Sequence, residues 1–243
     1  MKIYKKIFIH GGSSLISKFL IEKFKDDFDE LYIFCRNINK TKNILEVEKY
    51  PDKKIIFFEN DLENIKKTID DLNKLPDDLN GIFWVTGVTG NPDEEFNNQA
   101  NLEKNLNINF LHPVLCISLL STKIIKNNKS FICAFTSVAG LRGRKKRLYY
   151  SSAKSGLITF LSGLRQKFCG EIKIFTVIPG YISTNTFSEN ASKILISSPK
   201  QCADIVHKNI KQNKEIIYVN FIWKIIMKII SFIPEKIFKK LQF

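Results

Sequence analysis

Seven short apolar runs punctuate this chain, and their spacing leaves few folds open. They fall at residues 3–10, 31–35, 54–58, 81–85, 130–136, 172–178 and 215–219. Amphipathic stretches separate them, with helices expected over 14–25, 99–125, 148–168 and 199–212. Short apolar runs alternating with amphipathic segments are the pattern of a parallel sheet covered by helices on both faces. The expected fold class is therefore α/β, one doubly wound domain over residues 1–220 with about seven strands, followed by a distinct tail at 221–243. At 243 residues and 44% hydrophobic, the chain can bury one full core. No repeat or low-complexity linker divides it.

The chemistry concentrates where the fifth run ends. Ser130-Phe-Ile-Cys-Ala-Phe-Thr136 leads into Ser137, and thirteen positions later come Tyr150 and Lys154. The i,i+4 spacing sets the phenol and the ammonium on one side of the expected helix, among the small residues Ser151, Ser152, Ala153, Ser155 and Gly156. A phenol, an ammonium and a hydroxyl can together move a proton on and off a carbinol oxygen. The spacing alone is weak, because a lysine-rich chain produces Tyr-x-x-x-Lys by chance. Tyr50 and Lys54 are such a decoy, since Pro51 disfavours helix at Tyr50.

A second constellation sits at the other end of the chain. His10-Gly-Gly-Ser-Ser-Leu-Ile-Ser17 follows the first strand and opens the first helix. Gly11 and Gly12 let backbone approach a pyrophosphate, and the free amides of a helix N-terminus favour anions. The second strand ends in Cys35-Arg36-Asn37, where an acid would suit the ribose hydroxyls of NAD. Arginine there suits a 2′-phosphate through charge and paired hydrogen bonds, so NADP(H) is the expected cofactor, with NAD(H) also accommodated. Asp61 follows the third strand, placed to accept from an adenine amino group, and Val85-Thr86-Gly87 follows the fourth. Read singly, each is equally well a helix cap or an ordinary turn residue.

Charge and cysteine bound the rest. The formal charge of +14 comes from lysines spread along the whole chain, which reads as solvated surface rather than a polyanion site, and no nucleic-acid recognition motif occurs. Arginine is scarce, at Arg36, Arg142, Arg144, Arg147 and Arg165, so it marks places that need its planar fork. Three of the five lie in Arg142-Gly-Arg-Lys-Lys-Arg147, a loop that either grips a substrate phosphate or anionic headgroups or turns its charge to water. The five cysteines show no Cys-x-x-Cys pairing and read as small core residues in a reducing, cytoplasmic setting. The three histidines have no ligand spacing, so no metal is expected. The N-terminal residues read as a strand and not as a signal peptide. Residues 221–233 are apolar on most faces, Pro234 breaks them, and a basic turn follows. The run is too short to span a bilayer; it either lies in a membrane interface or packs on the core or on a second subunit.

With these residues in view, the chain resembles the short-chain dehydrogenase/reductase family, whose domain is Rossmann-type. Gly11-Gly-Ser-Ser stands for the family's glycine-rich turn, Asp61 for its adenine contact, and Val85-Thr-Gly87 for its Asn-Asn-Ala-Gly segment. Asn109 matches its helix asparagine, Ser137, Tyr150 and Lys154 its catalytic residues, and Pro179-Gly180 with Thr184 its Pro-Gly-x-x-x-Thr segment. His10, Leu15 and Ser17 depart from the usual threonine and two glycines. The resemblance implies cofactor contacts from Gly11, Gly12, Ser13, Ser14, Leu15 and Ile16 in the first turn. It extends them to Arg36, Asp61, Leu62 and Gly87, to Tyr150 and Lys154, and to Pro179, Gly180, Ile182 and Thr184. Tyr150 would protonate the alkoxide left by hydride transfer, and Lys154 would lower the phenol's pKa and contact the nicotinamide ribose. Ser137 would hold the substrate oxygen, and Asn109 would anchor a water relaying protons to Lys154.

Ser137-Val-Ala-Gly-Leu-Arg-Gly-Arg, Tyr150-Ser-Ser-Ala-Lys-Ser-Gly-Leu, Phe160-Leu-Ser-Gly-Leu and the tail are similar, more narrowly, to the keto-reductase subunits of decaprenylphosphoryl-ribose 2′-epimerase. That likeness implies reduction of a 2-keto sugar on a polyprenyl phosphate, a flavin-oxidase partner, and Arg142, Arg144 and Arg147 near the anion. The expectation is a ketone reductase, peripherally attached to the inner face of the membrane or free in the cytoplasm, and a homodimer or homotetramer because small residues line the Tyr150 helix. A 3-oxoacyl or other hydrophobic ketone reductase is the alternative, and a non-catalytic dinucleotide sensor a remote one.

Overall fold

A computed structural model describes residues 4–90, 98–127, 129–183 and 192–241. Strands β1 (Lys6–His10), β2 (Glu30–Cys35), β3 (Lys54–Glu59), β4 (Gly81–Trp84), β5 (Phe131–Phe135), β6 (Lys173–Ile178) and β9 (Ile216–Tyr218) form one parallel sheet in the order β3-β2-β1-β4-β5-β6-β9. The order reverses between β1 and β4, and ligands of such sheets bind outside the carboxyl ends of the strands at that reversal. Two short strands, β7 (Tyr181–Ile182) and β8 (Ile196–Ser197), pair in parallel beyond the end of β6.

The inner strands β1, β2, β4, β5 and β6 are apolar on both faces because both are covered. Ile7 and Ile9 of β1 face a cluster that takes Leu20, Ile21 and Phe24 from α1 (Leu15–Phe24), Leu45 from α2 (Ile38–Leu45) and Val206 and Ile210 from α7 (Pro199–Lys211). Phe8, between them, faces Leu72 of α3 (Ile65–Asn73), Cys116, Ile117 and Leu120 of α5 (His112–Lys123), and Leu157 and Leu161 of α6 (Leu148–Lys167). The first cluster holds a seam of rings, with Phe83–Phe131 and Phe24–Phe83 centroids 5.0 and 5.2 Å apart at 65° and 66°. Edge-to-face pairs of this kind add about 0.5–1.5 kcal/mol to what burial provides.

The expected helix over 99–125 is three pieces: α4 (Gln99–Leu106), a wider π turn (Asn107–Leu111) and α5. Pro113 supplies the cause. It has no amide to give the Asn109 carbonyl four residues back, so the backbone widens, and the His112 amide bonds Asn107 instead. Helices α2 and α3 lie in stretches where the sequence analysis named no helix; Asn37 and Asn64 cap them by accepting from the amides of Lys40 and Lys67. Four cysteines are buried, as core residues would be, but Cys169 is exposed at the end of α6. In the tail, α8 (Phe221–Phe232) packs Trp223 and Met227 against Val138 and Ile178, and α9 (Glu235–Phe238) follows Pro234.

Candidate active site

The topology carries the first turn, the end of β4 and the residues after β5 to one edge of the sheet. Between β1 and β4 lies a cleft of about 280 Å³, lined among others by Gly11, Ser13, Ser14, Arg36, Asp61, Leu62 and Gly87. Gly11 has φ +94°, and a β-carbon there would lie 2.7 Å from the Thr86 Oγ1, so backbone conformation and space both demand glycine. The amides of Gly11 and Gly12 donate to the Phe34 carbonyl at 3.1 and 3.0 Å, which leaves those of Ser13, Leu15, Ile16 and Ser17 with no backbone partner among the described residues, Ile16 bonding the Ser14 hydroxyl instead. Ser14 caps α1 through Ile16, while the Ile16 side chain packs into the core and not into the cleft. Leu15 is exposed at the helix start.

The departures from the usual glycine-rich turn have local explanations. Ser17 is fully buried, and its hydroxyl donates to the Gly11 carbonyl at 2.8 Å, fixing the turn that a glycine would leave loose. His10 reaches across to β4, its Nδ1 2.6 Å from the Thr86 Oγ1 and its ring stacked on Trp84 at 4.2 Å. Burial holds its imidazole down to about 3, against the opposing pull of Asn60 and Asp61, so it stays neutral. Sequence reasoning marked His10 as a departure but missed its partnership with Thr86.

Arg36 is exposed on the rim and makes no hydrogen bond or ion pair among the described residues. The Asp61 carboxylate accepts from the Glu63 amide at 3.0 Å, and Leu62 is buried beside it. A glycine-floored cleft with free amides, an available arginine and a carboxylate fits a dinucleotide carrying a 2′-phosphate.

Ser137, Tyr150 and Lys154 come together because the turn after β5 lies directly on α6. A β-carbon on Gly140 would sit 2.7 Å from the Lys154 backbone carbon, so no larger residue allows that approach. The Ser137 hydroxyl accepts from the Ala139 amide at 3.1 Å. Burial pushes the Tyr150 phenol above its ordinary value, while the neighbouring Ser137 hydroxyl and then the charges of Arg147 and Arg144 pull it back. Lys154 was expected to be the cation that acts on the phenol. Its Nζ lies 5.8 Å from the Tyr150 ring centroid and donates to the Phe135 carbonyl at 3.3 Å, and burial lowers the ammonium from 10.5 to about 8. Gly87 joins this group to the cleft, since a β-carbon there would be 3.0 Å from both Lys154 Nζ and Asn109 Oδ1.

Asn109 is fully buried in the π turn. Its amide donates to Val88 O (2.8 Å), Asn105 O and Asn105 Oδ1, and its Oδ1 accepts from the Val88 amide at 3.1 Å. The side chain thus pins the loop after β4, and its hydrogen bonds go to Val88 and Asn105 rather than toward Lys154. Tyr50, the decoy, is buried among core residues, while Lys54 pairs with Glu30 at 3.2 Å.

The three loop arginines part company. Arg142 turns away to the tail, bonding Ser231 O, Ile233 O and Glu235 (2.7 Å) and lying 4.2 Å over the Phe238 ring. Arg147 donates to the Thr89 and Gly90 carbonyls at 2.9 and 3.0 Å, tying the α6 entry to the loop after β4. Arg144 has no such partner among the described residues. Pro179 accepts from the Val138 amide at 3.0 Å, Gly180 lies against the Trp223 indole, and Ile182 belongs to β7; none of the three lines the cleft. Thr184 lies outside the described residues.

A family model described as short chain dehydrogenase matches residues 5–195. A ketoacyl reductase, HetN, of Nostoc sp. is 31% identical over 127 residues, half of this chain and 44% of that protein. A 3-oxoacyl-[acyl-carrier-protein] reductase of Synechocystis sp. is 32% identical over 92 residues, 37% of each. The chain thus spans less than half the length of these two relatives. Among solved structures, a short chain dehydrogenase of Burkholderia cenocepacia in complex with NADP superposes with TM-score 0.76 at 15% identity, covering 100% of both chains. A Brucella melitensis 3-oxoacyl-[acyl-carrier protein] reductase in complex with NAD gives 0.70 at 19%, covering 91% of this chain and 98% of that one. With the family model matched over most of its length, the sheet order and the cleft agreeing with it, this chain belongs to the short chain dehydrogenase family.

Proposed function

We propose that the protein is an NADPH-dependent ketone reductase that also accepts NADH. One observation carries the reading: Ser137 lies beside the Tyr150 phenol, and Lys154, one turn along, reaches Gly87, which lines the cleft where β1 and β4 diverge. Ser13 and the open amides of α1 would hold the pyrophosphate, Arg36 the 2′-phosphate and Asp61 the adenine. The nicotinamide would supply a hydride. Ser137 orients the carbonyl oxygen, and Tyr150 donates its phenolic proton to that oxygen. Lys154, its ammonium lowered to about 8, would replenish the proton and hold the nicotinamide ribose. Asn109 keeps the loop after β4 in place behind it.

The substrate we infer is an anionic or lipid-linked ketose of the 2-keto sugar kind, following the similarity to the keto-reductase subunits of decaprenylphosphoryl-ribose 2′-epimerase. What supports it is the bearing of Arg144 and Arg147 on the phenol, which places two cations within electrostatic reach of the reacting oxygen. A flavin oxidase supplying the ketone belongs to the same reading. So does an oligomer built on α6, where Ser152, Ser155, Gly156 and Thr159 line an open groove with Phe110 and Val114. A second reading, reduction of 3-oxoacyl thioesters, follows the printed names of the two relatives above. Turnover against 2-keto sugar phospholipids and 3-oxoacyl thioesters, each with NADPH and with NADH, separates them. Oxidation of NADPH by the sugar lipids alone upholds the proposal, turnover of thioesters alone replaces it with the second reading, and no turnover of either class overturns both substrates.

A further inference from the structure

The outward side of α8 is as apolar as its packed side. Trp223 and Met227 are buried, and Ile226 and Ile230 pack partly against the same cluster. On the opposite side Phe221, Ile225, Ile229 and Phe232 are 66, 48, 62 and 77% exposed. Steps of four, four and three residues align these side chains in one stripe. Past Pro234, Ile237 and Leu241 are exposed as well. Lys224 and Lys228 stand exposed beside the stripe, and Lys236, Lys239 and Lys240 follow. The one acid of residues 221–241 is Glu235, which is paired with Arg142.

We propose that this face docks on the surface of an anionic phospholipid bilayer, with the stripe in the acyl boundary and the lysines among the headgroups. An apolar face edged by lysines is the composition that binds such a surface. No helix of the described residues is long and apolar enough to cross a membrane, so α8 lies along the interface. A second copy of the chain fits less well: a two-fold contact through this face would bring its lysines toward those of its twin, with Glu235 already engaged. Arg142 gives the docking a consequence for the site. It stands in the loop between Ser137 and Tyr150 and is fastened to Ser231, Ile233, Glu235 and Phe238, so a docked tail holds that loop beside the bilayer.

The docking does not rest on the reductase reading, and its test uses no turnover. The full chain is floated with vesicles of phosphatidylglycerol and phosphatidylcholine, and with phosphatidylcholine alone. Ile229→Glu/Phe232→Glu and Lys224→Glu/Lys228→Glu are compared; all four positions are exposed, and unchanged thermal melting confirms that each variant folds. The expected result is recovery with anionic vesicles at least tenfold above neutral ones, and a tenfold loss in each variant. Equal absence of the wild type from both vesicles overturns the proposal, as does unaltered flotation of the variants. Sedimentation showing a dimer that Ile229→Glu/Phe232→Glu dissociates assigns the face to a second copy instead.

Discussion

Lys154 is a buried cation with one hydrogen bond among the described residues, and the protein should be more stable without it. Burial brings its ammonium from 10.5 to about 8. At about 1.4 kcal/mol per pH unit, this destabilises the native state by on the order of 3 kcal/mol at pH 7, where folded and unfolded chains both carry the charge. Because the folded value is the lower one, the unfolded chain holds more protons between about pH 8 and 10.5, and native stability rises through that window. Lys154→Met keeps the aliphatic stem and removes the charge, at the loss of the bond to Phe135, worth about 1 kcal/mol. The net gain near pH 7 is then about 2 kcal/mol, roughly 4–8 °C in Tm for a chain of this size. Thermal and urea unfolding of the nucleotide-free protein from pH 7 to 10.5 measures it. The advantage should shrink as pH rises, pass through zero and become a deficit of about 1 kcal/mol by the upper end, where only the lost bond to Phe135 remains. A variant less stable than wild type at pH 7, or an advantage that does not change with pH, would refute the reasoning.

Other outcomes follow from the same geometry. Arg36→Ala should lower the ratio of kcat/KM for NADPH over NADH by about 10- to 100-fold, the scale of a lost charge-assisted bond, and an unchanged ratio would remove Arg36 from the 2′-phosphate. Gly180→Ala would drive a β-carbon to 2.0 Å from the Trp223 Nε1 and dislodge the indole from the Leu195 carbonyl. About 1–3 kcal/mol of stability should be lost in urea unfolding, and recovered in part by adding Trp223→Leu. Arg147→Met removes a charge that lowers the Tyr150 phenol, so the alkaline limb of the reduction pH profile should move to higher pH; a limb that stays put separates Arg147 from the acid.

The strands of the main sheet were legible because the inner ones are covered on both faces and so read as uninterrupted apolar runs, whereas the two-residue strands β7 and β8 are too short to leave a pattern. Helices α2 and α3 were not, being short and crowded with lysine, asparagine and aspartate, with only their Asn caps to announce them. The candidate site was legible where the sequence sets distinctive side chains that the structure brings together, as at Ser137, Tyr150 and Lys154, or where glycine has no substitute, as at Gly11. It was illegible where a role depends on a partner distant in sequence. Nothing near Gly180 announces that Trp223, 43 positions on, lies against it. Arg142 and Arg144 are two residues apart in one loop, yet one is fastened to the tail and the other has no partner among the described residues. Scarce arginine marked demanding positions only in part: Arg142, Arg147 and Arg165 are engaged, and Arg165 bonds Ile174 and Thr176 of β6 at 3.0 and 2.8 Å, a structural task the charge pattern could not distinguish from anion binding.

The central claim is that the Tyr150 hydroxyl delivers the proton. Tyr150→Phe removes that oxygen and little else, so NADPH binding, followed by nucleotide fluorescence, should stay within about twofold while ketone reduction falls by at least 10²-fold, at or beyond the lower end of the range for losing a positioned acid. Reduction within about tenfold of wild type, with NADPH still bound, would place the proton donor elsewhere.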